Sequence, residues 1–380
     1  MKQTSRIIST FSADTFGVCS ALFELGGMTV MHDASGCNST YTTHDEPRWY
    51  DMDSMVYISG LSEMEAILGD DEKLISDICA AAGDLGPKFI AIAGTPIPAM
   101  TGFDYEAVAA LIEDRTGIPA FGFPTTGMET YVRGAAMAFA ALARRFVEPG
   151  EKTEEKSVNI LGLTPLDFSV NGTAAAIARF LEDQGYRVLS RWAMGSSLEE
   201  IARAAGAHVN LVVSATGLDA AKVLEERFGT PYVVGVPYGE EWSDALATAL
   251  GLTEELGFGM QAHSEAVDGD IIVIGEGVTA LSLASAMEMT LDKGVRVLCV
   301  TECSRAVLRD KDLLCSSEEE IEAAIRTAKT VIADPMFAPI VPEGVRFIPL
   351  PGENCSGRIY RNQIPNLVTG FDEWLKEVAL

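Results

Sequence analysis

The chain has 380 residues, more than one hydrophobic core usually supports, so two or three domains of ordinary size are expected. Its 28 Lys and Arg against 55 Asp and Glu leave a formal net charge of −27, which repels phosphate backbones and anionic membranes and argues against nucleic acid as a partner. No stretch reaches about 18 uninterrupted apolar residues and residues 1–6 lead into no signal-type apolar run, so no membrane association and a soluble, cytoplasmic protein are expected.

In chain order, residues 16–25 read as a helix stopped by Gly26-Gly27, followed by an apolar strand over 28–31. That strand runs into a small-residue loop, Ala34-Ser35-Gly36-Cys37, and then into an aromatic, polar passage over 41–50 without regular period. Residues 70–82 carry Leu74, Ile75, Ile78, Cys79 and Ala82 on one helical face, with Asp70-Asp71-Glu72 suiting the positive end of the helix dipole. A buried strand over 89–93, a Gly-Thr-Pro-Ile-Pro loop and a helix over 105–115 make a βα unit of a parallel sheet. The charged run 148–156, with Pro149-Gly150, reads as a linker.

Beyond the linker the period restarts, with strands over 158–163, 186–190, 208–214 and 231–236 alternating with helices over 172–184, 197–205 and 217–228. A third unit follows, with strands over 270–274, 295–301 and 330–333 and helices over 278–292 and 317–328. The expected fold is α/β with parallel sheets, divided into residues 1–150, 157–265 and 266–380.

The seven cysteines (19, 37, 79, 299, 303, 315, 355) are odd in number, scattered and without a CxxC pair, the pattern of reduced thiols. Cys37 stands apart because it follows a strand end, where the loops of an open α/β sheet gather and bind ligands. A buried cysteine acting as a small hydrophobe is the competing reading. His32 and His44 flank it, and no H-x-x-x-H or H-E-x-x-H spacing of a zinc hydrolase occurs. Gly275-Glu276-Gly277-Val278-Thr279-Ala280 matches a dinucleotide-binding turn, with Glu302 downstream. Glu276 places a carboxylate where a pyrophosphate needs N–H donors, so the turn is read as architectural and no dinucleotide is expected.

The order of several passages resembles the nitrogenase component 1 family. Val30 to Cys37, followed by Glu63 to Gly69 and Lys73-Leu74, is similar to that family's strand leading into an H-G-P-x-G-C loop and an acidic segment before G-G-x-x-x-L. His208 to Ser214 and Leu224 to Tyr232 resemble its L-N-L-V segment and its L-E-E-K-Y-G-I-P-x segment. The resemblance implies three Rossmann-like domains, subunits paired about a twofold axis, and iron–sulfur cofactors reduced by a separate ATP-driven iron protein. It implies Cys37 as the principal metal ligand, with Gly36 and His32 beside the cofactor and Cys19, His44 and Asp33 as further candidate ligands. Three of the family's cysteines are missing, their positions falling at Ala13, Thr95 and Ser214.

One thiolate cannot hold a four-iron cluster in the four-cysteine manner, so a cluster shared across a dimer is expected and dinitrogen reduction is not. The leading expectation is an oxidoreductase component with an iron–sulfur cluster or metallocofactor at the interface of a homodimer, or of a heterodimer with a paralogous subunit. Its electron donor would be a nitrogenase reductase-like iron protein. A non-catalytic scaffold or carrier for a metallocluster or tetrapyrrole is the alternative, and a nucleotide-dependent oxidoreductase using the Gly275 turn is the second. Met28, Met31, Tyr41, Trp49, Tyr50 and Met55 are the expected interface side chains.

Overall fold

Runs such as Ile90–Ala93 and Ile271–Gly275 show no polar alternation, the pattern of strands covered on both faces. The computed structural model describes residues 6–34, 36, 46–259, 262–263, 265 and 267–380, and places these two runs inside parallel sheets. The first sheet has the order β2 (Met55–Ile58), β1 (Met28–Met31), β3 (Ile90–Ala93), β4 (Ala120–Phe123). The second runs β6 (Arg187–Arg191), β5 (Ser157–Leu161), β7 (Val209–Val212), β8 (Tyr232–Val234). The third runs β11 (Leu313–Leu314), β10 (Val295–Cys299), β9 (Ile271–Gly275), β12 (Thr330–Ala333), β13 (Arg346–Pro349). Every strand pairing in these sheets is parallel. The fold is therefore α/β with three Rossmann-like units, as the residue pattern predicts.

In the first unit the helices are α1 (Asp14–Leu22), α2 (Glu63–Leu68), α3 (Asp71–Leu85), α4 (Pro96–Thr101), α5 (Tyr105–Thr116) and α6 (Tyr131–Arg145). The expected Gly-Thr-Pro-Ile-Pro loop instead enters α4 with Pro96 in its first turn, where a missing N–H costs nothing. Helix α6 has no counterpart in the residue pattern because its buried face is built largely of Gly134 and five alanines, which give little apolar contrast. The second and third units add α7 (Pro165–Phe168), α8 (Thr173–Asp183), α9 (Leu198–Ala202), α10 (Leu218–Phe228), α11 (Glu240–Leu256), α12 (Gly277–Leu291), α13 (Glu318–Ile325) and α14 (Leu367–Glu377). Register between β1 and β3 pairs Met28 with Ile90 and Met31 with Ala93, so both strands release their loops at one edge.

The charged passage 148–156 spans from α6 to β5, and it is pinned rather than loose. The Lys152 ammonium donates to the carbonyls of Ala205 and Ala207 at 3.1 and 2.6 Å and to Thr230 Oγ1 at 2.7 Å. Burial without a carboxylate partner lowers the Lys152 pKa.

The largest core is continuous through all three units, and α1 and α6 cross within it. The crossing depends on two glycines. A Cβ on Gly17 of α1 would lie 2.0 Å from the carbonyl oxygen of Tyr131, and one on Gly134 of α6 would lie 1.8 Å from that of Asp14. Only hydrogen fits at either point, so the helices touch backbone to backbone. Gly134→Ala must push them apart and is expected to cost about 1–3 kcal/mol or more. Gly83→Ala in α3, where a new Cβ meets nothing within 4 Å, should instead gain about 0.5–1 kcal/mol. Urea-unfolding midpoints check both, and a Gly134→Ala midpoint at or above the parent's contradicts the packing argument.

Candidate functional site

Strand β1 delivers His32 and Asp33 to the carboxyl edge of the first sheet. His32 is buried, its Nδ1 lies 2.9 Å from Ser59 Oγ, and its ring packs 4.5 Å from that of Phe103. Burial lowers its pKa to about 4 against the opposing pull of Asp33 and Glu65, so the ring is neutral at pH 7. Ser59 also fastens Asp33, accepting from its N–H at 3.1 Å and donating to its carbonyl at 3.2 Å. Thr95, where the family's T-C-P cysteine falls, donates to the His32 carbonyl at 2.8 Å. Gly36 is exposed with open space around it. Cys37 and His44 lie outside the described residues.

Cys19 is fully buried among Phe23, Met31 and Val56, and burial pushes its thiol far up. This is the setting of a packing residue. Ala13 precedes α1 and contributes no ligand atom. Among the described residues no group of three or more His, Cys, Asp and Glu is placed to hold a metal ion. Of the expected interface side chains, Met28 and Met31 are instead core residues, because they point into a sheet covered on both faces. Trp49 packs 6.3 Å from Phe23, Met55 is half-buried, and Tyr50 stays exposed. The exposed apolar side chains beside this edge come from helices that the residue pattern does not single out: Met64, Ile67 and Leu68 of α2, and Ile97 and Met100 of α4. These two helices pack together.

A second constellation lies inside the molecule, where the three units meet. Tyr131 opens α6, Asp167 sits in α7, Ser214 follows β7, Glu276 follows β9, and Asn354 lies beyond β13. The Tyr131 hydroxyl donates to Asp167 and accepts from Asn354 Nδ2 at 2.9 Å. Asp167 also bonds the Ser214 hydroxyl and accepts from Thr164 Oγ1 at 3.4 Å. Glu276 accepts from the backbone N–H groups of Ala215, Val278 and Thr279, each at 3.0 Å. Burial raises the pKa of Asp167, with the Glu276 charge adding to it, and burial raises that of Glu276 against its three N–H donors.

No local signal in the sequence marks this network, since its members are spread from residue 131 to residue 354 and belong to different strand ends. At the Gly275 turn the first N–H groups of α12 are occupied by the chain's own Glu276 carboxylate.

The model of the nitrogenase component 1 type oxidoreductases matches residues 15–322. The chain belongs to that family. It is 29% identical over 206 residues to the nitrogenase iron-molybdenum cofactor biosynthesis protein NifE of Clostridium pasteurianum, covering 53% of this chain and 43% of that protein. It is 36% identical over 104 residues to a light-independent protochlorophyllide reductase subunit of Prosthecochloris aestuarii, covering 27% of this chain and 19% of the relative. The alignment with NifE of Rippkaea orientalis is longer, 26% over 284 residues, and covers 72% of this chain and 57% of that one. The chain thus spans less than two thirds of the length of each of these relatives. The solved structure "Nitrogenase Cp1 at pH 6.5" superposes with a TM-score of 0.68 at 15% identity, covering all of this chain and 94% of the other, which establishes the shared fold.

The family's interior thiolate falls at Ser214, and the residues there do not fit a metal cofactor. Ser214 is fully buried, its oxygen accepts from Thr216 N at 3.2 Å and from Thr216 Oγ1 at 3.0 Å, and its other neighbour is Asp167. A hydroxyl committed to three hydrogen bonds replaces a soft sulfur ligand. The raised Asp167 carboxyl also has a pH signature. Its folded value lies above its unfolded one, so the proton is kept at no cost at low pH and ionisation penalises the folded state as pH rises. Asp167→Asn should therefore gain stability relative to the parent as pH rises from about 4 to about 7, between the unfolded value and the folded value of about 7, read from urea midpoints at each pH. A difference that stays flat or falls across that window contradicts the assignment.

Proposed function

We propose that this chain is the subunit of a component 1-type assembly that pairs across the carboxyl edge of its first sheet. There it holds an iron–sulfur cluster through Cys37. The observation that carries the reading is the exposed apolar surface of α2 and α4, where Ile67 and Leu68 are 72% and 71% exposed and Met100 is 87% exposed. Such surfaces on soluble proteins mark contact sites, and this one adjoins the strand end from which the Cys37 loop departs. Screening beyond about 8–10 Å at physiological salt lets that surface bring like chains together despite the charge of −27.

Cys37 from two subunits, whether identical or paralogous, supplies two thiolates, with Asp33, His44 or further residues of the partner completing the set. A cluster so held supplies one-electron transfer, with electrons coming from a separate ATP-driven iron protein. This chain's own part is to fix the strand end before Cys37: Ser59 and Thr95 clamp His32 and Asp33, and burial keeps His32 neutral. Dinitrogen reduction is not part of the reading, because the Ser214 position offers no thiolate.

A second reading is a scaffold or carrier for a metallocluster or tetrapyrrole without turnover. The match to NifE, a protein named for cofactor biosynthesis, is consistent with it.

Anaerobic purification of the full chain with iron, sulfide and light-scattering analysis tests both. The first reading expects a dimer, or a complex with a paralogue, holding about four irons, with the iron lost in Cys37→Ala and the assembly lost in Leu68→Asp/Met100→Asp. An assembly without iron favours the carrier. Iron content unchanged by Cys37→Ala removes the cluster assignment, and assembly unchanged by the double variant removes the interface.

A further inference from the structure

Strand β10 ends at Cys299, and the segment that follows brings Cys303 back against it. A Cβ on Gly277, the first residue of α12, would stand 2.5 Å from Cys303 Sγ and 3.3 Å from Cys299 Sγ. Both sulfurs therefore border the space that a side chain there would fill, and the Cys303 thiol meets that of Cys299 directly. Their other bonds are weak: Cys299 Sγ donates to the Thr301 carbonyl at 3.4 Å, and Cys303 Sγ to that of Ser304 at 3.6 Å.

The two thiols differ in access. Cys299 is fully buried, whereas Cys303 is half-buried, so a small solute reaches Cys303 first. A third thiol is near: Cys315 is buried, and its N–H donates to the Cys299 carbonyl at 2.8 Å. Between the pair stands Glu302, which accepts from Thr130 N at 3.2 Å and from the Thr130 hydroxyl, at the start of α6. The short segment from Cys299 to Cys303 thus carries a contact that ties the third unit to the first.

We propose that Cys299 and Cys303 are a reversible dithiol that exchanges with small disulfides, with Cys303 as the attacking thiol and Cys299 as the resolving one. The Cys303 thiolate attacks one sulfur of the small disulfide, whose S–S bond breaks, and the other half leaves as a thiolate. Cys299 then gives up its proton, attacks Cys303 Sγ and expels the second half. The protein pair loses two electrons and two protons, and the small disulfide takes them up and departs as two thiols. A resolving sulfur already in contact outruns a second small thiol, because its attack is intramolecular. The contact with Cys299 raises the Cys303 pKa, with burial and the Glu276 charge adding to it. A scarce thiolate makes the first attack slow, and a poor leaving group makes the closed disulfide slow to reopen. The proposal does not depend on the Cys37 reading, since the pair belongs to the third unit and the Cys37 loop to the edge of the first sheet.

The test is incubation of the folded full chain with oxidised glutathione, followed by alkylation of the remaining thiols with iodoacetamide in urea and mass spectrometry of tryptic peptides. Residues 297–305 form one such peptide and carry both cysteines. It is expected without alkylation and lighter by two hydrogens than the dithiol form, with alkylation of both cysteines restored by dithiothreitol. Cys299→Ala should leave glutathione on Cys303 as a lasting mixed disulfide, Cys303→Ser should abolish disulfide formation at Cys299, and Cys315→Ser should change nothing. If Cys299→Ala does not fold, the parent peptide and Cys303→Ser carry the comparison. A parent peptide that keeps two alkylatable thiols, a disulfide that joins either cysteine to Cys315 instead, or a folded Cys299→Ala chain whose Cys303 takes up no glutathione each overturns the proposal.

Discussion

One buried carboxylate holds two of the three units in register. Glu276 follows β9 of the third sheet and accepts from the first N–H groups of α12, closing the helix end that its own strand feeds. It also accepts from Ala215 N, just past β7 of the second sheet. At a relative exposure of 2% the carboxylate depends on these N–H groups, so both sheets must present them at the same point. Tyr131, Asp167 and Asn354 assemble around that fixed point, each brought by a different stretch of chain. Removing the carboxylate would leave three buried donors unpaired at once, which is more costly than losing any single bond among them.

This arrangement explains how the chain keeps a component 1 fold while altering what the fold encloses. Ser214, buried just past β7, joins a hydrogen-bonded chain of side chains whose polar atoms are proton-bearing oxygens. The edge of the first sheet follows another logic. There His32 and Asp33 are clamped by Ser59 and Thr95, and short helices leave apolar side chains in solvent. A hard, acidic interior and an apolar edge are two distinct chemical environments on one scaffold.

Much of the fold was legible because parallel strands covered on both faces leave unbroken apolar runs, and β1 and β12 lie where those runs predict. Helices with a single stripe, such as α3 and α10, were legible for the same reason. Helix α6 was not, because a buried face of glycine and alanine gives little apolar contrast, and α4 was not, because a proline that opens a helix reads as loop punctuation. Met28 and Met31 drew attention as interface candidates on residue type alone, and only the strand on the other side of the sheet shows that they are core. The strand end before Cys37 was visible from local pattern. The interior network was invisible because no local pattern joins residues 131, 167, 214, 276 and 354.

The crossing of α1 and α6 carries a mechanical consequence. Where Gly17 meets the Tyr131 carbonyl and Gly134 meets that of Asp14, no side chain stands between the helices to change rotamer and absorb a shift. Sliding one helix along the other would drive carbonyl oxygens into Cα atoms, so the pair moves as a single strut. One end of that strut carries the start of β1 through Gly26-Gly27, and the other carries the phenol that bonds Asp167. The two close contacts thus hold the entry to β1 and the Tyr131 phenol at a set separation.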